Sequence, residues 1–275
     1  MSATDGPPAR PRRRWIWVIV ALVTVPILIS PLAVLEGLKP DPHHEYGPVT
    51  VYHRPVTAVR VSAPGDAVAI TAGRPGQVSV ASTLAWQFTK PAVRERWQGT
   101  TLAVTVYCLA PGPSEDCSAS LTVHVPAAVE VQAAVGTGSA TVAGLAGPVH
   151  VTATSGSLVL AYLSGPLRAA ATSGSVTGMT GLNSPAVTAD VGSGSLALGL
   201  DSAPNSMSLA VGSVSGHVTV PPGSRYRFDT DPGTAVHVSP GTSSPGAASL
   251  IAARAGSGGL SIMYPGWLGG LAAAH

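Results

Sequence analysis

Small apolar residues alternate with hydroxyl-bearing residues and glycines down most of this chain, and the alternation has two periods. The short period is two. Val59, Val61 and Ala63, then Val68 to Ala72 behind a Pro64-Gly65-Asp66 turn, Gly76 to Ser82, Thr101 to Tyr107 and Ser120 to Val125 all have the pattern of half-buried strands. The long period is near twenty. Thr154-Ser155-Gly156-Ser157, Thr172-Ser173-Gly174-Ser175 and Ser193-Gly194-Ser195 are followed by apolar-x-apolar runs, with degenerate copies at Gly138-Ser139 and Ser215-Gly216-His217. Their glycines, at 138, 156, 174, 194 and 216, are spaced by 18, 18, 20 and 22 residues. A fixed period of this length marks a stacked repeat, in which no unit has a core of its own.

Aligned on those glycines, the copies predict what each position does. Ala140, Leu158, Val176, Leu196 and Val218 form one ladder, and Val142, Leu160, Gly178, Leu198 and Val220 a second. The residues between them, Thr141, Val159, Thr177, Ala197 and Thr219, face the other way. A second corner recurs at Gly147-Pro148, Gly165-Pro166 and Ser184-Pro185, so that one coil has two strands and two corners. At these corners glycine is expected to supply unusual φ and proline to fix it. The predicted fold class is all-β, a β-solenoid of stacked coils of about 18–22 residues. Beyond Val220 the period breaks at Pro221-Pro222-Gly223, and further strands are expected near Ala235–Val238, Ser249–Ala252 and Gly259–Ile262.

Composition agrees with strands and tight turns. Charged residues make up 10% and aromatic residues 5% of the 275, while Gly and Pro, at 32 and 25 residues, fall short of a low-complexity chain. The segment from Ala85 to Gly99 holds much of the outer charge (Lys90, Arg94, Glu95, Arg96) and reads as a hairpin or edge excursion, where charge discourages edge-to-edge pairing.

The N-terminus departs from this pattern. Arg10, Arg12, Arg13 and Arg14 precede an uncharged run from Trp15 to Leu35, closed by Glu36 and Lys39. At about 1.5 Å per residue this run spans ~30 Å, the thickness of a bilayer core. Trp15 and Trp17 suit the headgroup level, and the arginines place the tail in the cytoplasm. A cleaved secretory signal has a shorter apolar region, and Pro31-Leu32-Ala33 is a poor cleavage site. Arg12-Arg13 lacks the remaining context of a twin-arginine signal.

The expected organisation is a cytoplasmic basic tail (1–14), a single transmembrane helix (15–35), a stalk (36–48), a β-solenoid domain (49–264) and a flexible tail (265–275). Without the basic tail, eleven Lys/Arg stand against twelve Asp/Glu, so the overall pI near 8.7 is no argument for nucleic-acid binding. Cys108 and Cys117 flank a Pro111-Gly112-Pro113-Ser114 turn and read as one disulfide in an oxidising compartment.

Candidate chemistry is sparse. Between Glu130 and Val220 the charged residues are Glu130, Arg168, Asp190 and Asp201, at unrelated repeat positions, so no two carboxylates are set side by side for acid–base work. Asp190, beside the third Ser-Gly-Ser, is expected to accept turn N–H bonds. A calcium-binding nonapeptide repeat would have Asp where Ser follows the glycines here. His43, His44, Glu45 and His53 could hold a divalent ion, against the plainer reading of a solvated linker. His150, His217 and His237 should point outward from their strands. No nucleophile elbow and no phosphate loop occurs. The expected site residues are therefore the disulfide alone, with no catalytic, cofactor or metal residues.

The Val-x-Thr-x-Ser-Gly-Ser-Val/Leu-x-Leu coils, the Pro64-Gly65-Asp66-Ala67-Val68-Ala69-Ile70 element and the Cys117–Pro126 strand resemble the bacterial putative adhesin family. The resemblance covers roughly Val49 to Ile262. It implies a repeat-built β-solenoid behind a membrane anchor or signal sequence and carries over no catalytic residues. Family members usually have Gly-Asp after the turn glycine where this chain has Gly-Ser or Gly-His, which removes acidic surface. The expected function is that of a non-enzymatic, single-pass cell-membrane protein with an extracytoplasmic domain. Its expected partners are the membrane and an envelope protein or cell-surface glycan, with no nucleic acid and no cofactor. The alternatives are an accessory or sensor subunit of an envelope-stress or transport system, and a carbohydrate-active enzyme.

Overall fold

The computed structural model describes residues 42–108, 117–213, 215–231 and 235–265. The basic tail, the apolar run 15–35, the turn inside the Cys108–Cys117 loop and residues 266–275 lie outside the described residues. Every regular element among the described residues is a strand, and none of them forms a helix long and apolar enough to cross a membrane. The strands make two sheets, of twelve and ten strands.

The middle of the molecule follows the repeat. In the ten-stranded sheet, β9 (Glu130–Val135), β11 (Val149–Ala153), β13 (Leu167–Ala171), β15 (Ala186–Val191) and β17 (Ser206–Val211) lie side by side and parallel. In the twelve-stranded sheet, β10 (Ser139–Ala143), β12 (Ser157–Ala161), β14 (Ser175–Leu182), β16 (Ser195–Leu200) and β18 (Ser215–Thr219) do the same. From β9 to β18 the chain changes sheet at every strand, so each odd–even pair makes one two-strand rung. Register offsets are 18, 18, 20 and 20 residues in both sheets.

Alternation sends every second side chain between the sheets. Val131, Val149, Leu167, Val187 and Met207 from one side meet Ala140, Leu158, Val176 and Leu196 from the other, all buried. At roughly 0.8 kcal/mol per buried methylene, a coil of Ala, Val and Leu gains stability mainly from its neighbours above and below.

Two expectations are corrected here. The fifth Ser-Gly is not a corner: Gly216 pairs with Leu196, and Val218 with Leu198. The last spacing is therefore 20 residues. Gly216 lies in the core ladder because Leu260 fills the space beside it, and a Cβ there would stand 2.7 Å from Leu260 Cδ1. Nor do the corner glycines serve mainly to supply unusual φ. Gly138, Gly156 and Gly174 are absent from the left-handed glycines, although Gly194 (φ 132°) is among them. They are glycines because each backbone rests on the carbonyl of the coil before it.

Gly178 leaves a gap in its ladder that Leu182 enters, and a Cβ on Gly178 would meet Leu182 Cδ1 at 2.4 Å. The strand bulges between these residues and exposes Met179 and Thr180.

Both ends depart from chain order. At one end, β3 (Ala58–Ala63) and β4 (Ala67–Ala72) pair with β9 and β10, while the later β7 (Thr101–Tyr107) and β8 (Cys117–Val125) pair on their outer side. At the other end, β21 (Leu250–Ala255) and β22 (Gly259–Met263) stack directly on β17 and β18. The earlier β19 (Arg227–Thr230) and β20 (Val236–Val238) form the outermost rung.

The first end is closed by antiparallel strands. β5 (Val78–Trp86) lies on β8, with β1 (His43–Tyr46) and β2 (Thr50–Tyr52) on β5. β6 (Ala92–Gln98) lies on β7. The charged β6 ends the ten-stranded sheet, as its composition predicts for an edge.

Candidate functional site

A hollow follows the Ser-Gly corners. It has a volume of about 670 Å³ and is lined by Gly138, Gly156, Gly174 and Gly194 with the serines around them. Ser139, Ser157, Ser175 and Ser195 stand opposite one another from strand to strand. Their ladder has the ~4.8 Å spacing of paired strands.

Backbone groups hold the corners together. Ser157 N–H donates to Gly138 O at 3.2 Å and Ser175 N–H to Gly156 O at 3.2 Å. Ser155 N–H reaches Gly136 O at 2.9 Å, and Ser173 N–H reaches Thr154 O at 2.8 Å. The backbone is satisfied within the stack, which leaves the hydroxyls of the exposed Ser155 and Ser173 facing solvent. No ionisable residue lines this hollow. It can donate and accept hydrogen bonds, but it holds no base to activate a serine.

The ionisable groups sit elsewhere. Asp190 is exposed on the outer face of the ten-stranded sheet, opposite Ala170 and Ala210, and does not bond a turn. Two other aspartates accept backbone N–H bonds instead. Asp201 Oδ2 accepts from Gly181 N–H at 2.9 Å. The buried Asp66, in register with Gly138, accepts from Ala119 N–H at 2.5 Å. Burial raises the Asp66 carboxyl above the usual carboxylate range, and the Ala119 bond pulls it partly back. The Pro64-Gly65-Asp66 turn was visible in sequence, but its bonding partner lies 53 residues away on β8.

At the closed end, the Tyr52 hydroxyl donates to Glu95 Oε2. That bond, followed by burial and the Glu95 charge, pushes the Tyr52 phenol up to about 12. Trp97 meets Tyr52 edge-on at 5.2 Å, and Arg54 lies over Trp97 at 4.2 Å. This cluster joins β2 of one sheet to β6 of the other. Cys108 and Cys117 form the expected disulfide.

The histidine group near the start is drawn into other contacts. His43 stacks on Trp86 at 5.6 Å, and Glu45 pairs with Lys90 at 2.6 Å. Among the described residues no group of three or more His, Cys, Asp or Glu could hold a metal ion. His150 and His237 are exposed, and His217 is half-buried between inward neighbours, all three on outward positions.

Neither a protein-family model nor a curated protein matches this chain. Solved structures resemble it weakly. A putative cell adhesion protein from Clostridium sporogenes aligns at a TM-score of 0.32 and 9% identity, covering 82% of this chain and 100% of that one. A putative adhesin from Parabacteroides distasonis aligns at 0.34 and 11%, covering 82% and 97%. A protein from the same organism described as a putative lipid binding protein aligns at 0.25 and 9%, covering 80% and 96%.

Proposed function

We propose that this chain is a non-enzymatic, membrane-anchored envelope protein whose β-solenoid makes contact with other surface components. The observation that carries the reading is the Ser-Gly hollow, which repeats the same groups over four coils and contains no ionisable residue. A surface that repeats by translation suits an extended partner, whereas a reaction centre brings unlike groups to one point. The basic Arg10–Arg14 segment before the apolar run 15–35 supports the anchor and its orientation.

The test is topology and retention in cells. A C-terminal tag on the full-length chain should stay with membranes after alkaline washing. It should also react with an impermeant reagent in intact cells. A tag that is soluble, or protected until the cells are lysed, would overturn the anchored, outward reading. Turnover of an envelope polysaccharide by the purified full-length chain would overturn the non-enzymatic one.

A further inference from the structure

Strand register assembles a row of basic side chains that chain order scatters. On the outer face of the ten-stranded sheet, Arg96 of β6 stands opposite Ala103, and Ala103 opposite Arg60. Arg60 stands opposite Gln132, Gln132 opposite His150, and His150 opposite Arg168. The row crosses six strands, and at ~4.8 Å per strand it is about 24 Å long. Arg96, Arg60, His150 and Arg168 are all exposed. Two hollows of about 370 and 250 Å³ flank the row and meet at His150, the first bounded by Arg60 and the second by Arg168.

We infer that this row binds an extended acidic polysaccharide lying across the strands. Among the described residues no carboxylate pairs with Arg60, Arg96 or Arg168; the ion pairs Lys90–Glu45 and Arg254–Asp231 are made elsewhere. The nearest acidic residues on this face, Glu130 and Asp190, lie two residues to either side of the row; Glu130 borders the second hollow, where its Oε1 is held by Gln132 Nε2 at 2.6 Å. Unpaired guanidinium groups suit carboxylates, which they can meet through two parallel bonds.

The surroundings narrow the ligand. Thr105, Ser62 and Thr152 border the first hollow and Thr188 the second, offering hydroxyls to a sugar. No Phe, Tyr or Trp stands in the row to stack nucleic-acid bases, and His150 is its one aromatic ring. No large apolar side chain stands there to enter a bilayer. Each exposed contact is weak, so affinity comes from several engaged at once along one polymer. The inference rests on the proposal that the domain lies outside the membrane and makes surface contacts.

The test titrates the full-length chain, in mild detergent, with labelled polygalacturonate and with neutral dextran of matched length. Polygalacturonate should bind and dextran should not, with affinity falling as salt rises. The double variant R60Q/R168Q should bind roughly tenfold or more weakly at unchanged Tm. The control R74Q/R225Q, off this row, should bind like the parent. Equal binding of dextran, undiminished binding by R60Q/R168Q, or no binding of polygalacturonate would overturn the inference. So would tighter binding of polyphosphate or duplex DNA. A chain that is surface-exposed and retained by isolated envelopes but indifferent to polygalacturonate would sink this inference alone. A tag buried in intact cells would sink the surface-contact reading beneath it.

Discussion

Gly156 rests so closely on Gly138 that a Cβ at Gly156 would stand 1.8 Å from the Gly138 carbonyl oxygen. The relation repeats up the stack, at 1.9 Å for Gly174 over Gly156 and 2.0 Å for Gly194 over Gly174. Backbone lies on backbone here, so no rotamer change can relieve a larger residue. Gly156→Ala or Gly174→Ala should therefore cost about 3 kcal/mol or more, read as a fall in urea midpoint. Gly99→Ala, at a left-handed glycine with open space around it, should cost only about 1–2 kcal/mol. Equal costs at the two kinds of site would refute the close-approach explanation.

Coils should be removable in whole units. Val149 and Leu167 are register partners 18 residues apart, so deleting residues 149–166 brings β13 onto β9 and Gly174 over Gly138. The shortened chain should fold with its sheet signal intact and a lower Tm. Deleting one residue more shifts every following side chain to the opposite face and should abolish cooperative unfolding. Thermal melts followed by circular dichroism distinguish the two.

The Tyr52–Glu95 bond should show itself at high pH. Tyr52 ionises near 12 in the folded chain, above the ordinary value of 10, so its stabilisation is complete below about pH 10 and is lost as pH rises toward 12. An ultraviolet titration should contain a late-ionising tyrosine that Tyr52→Phe removes, leaving the buried Tyr226, whose phenol burial also raises, still shifted. The same variant should lower neutral-pH stability by about 1 kcal/mol. A titration unchanged by the substitution would show that Tyr52 is not the shifted group.

Reducing the Cys108–Cys117 disulfide should cost about 2–3 kcal/mol, because it closes a short loop in the unfolded chain. The loss should be felt first at β7 and β8, which form the outermost full coil at their end. Hydrogen exchange with and without reductant would show protection falling there before it falls at β11–β13.

Much of the middle could be read from residue order. Val149-His150-Val151 and Leu158-Val159-Leu160 alternate so plainly that burial follows from the pattern, and the structure buries Val149, Val151, Leu158 and Leu160. The recurring glycines announced a stacked repeat, though their steric reason emerged only when one coil lay on another. Gly216 shows the limit of alignment by motif: its Ser-Gly resembles the corners, yet the side chains packed around it place it in the core. Asp66 shows another, because the N–H it accepts from belongs to a strand on the far side of an excursion through β5, β6 and β7.

The amino-acid sequence by itself determined that this protein is built of short strands with a repeated inward apolar face, since side-chain alternation is a local property of the backbone. Only the tertiary structure decided the order of the coils at both ends. A parallel strand can pair on either open edge, and the choice between edges is made by packing and closure at long range. The same pairing decided that Arg60 and Arg168, distant along the chain, stand three strands apart on one face.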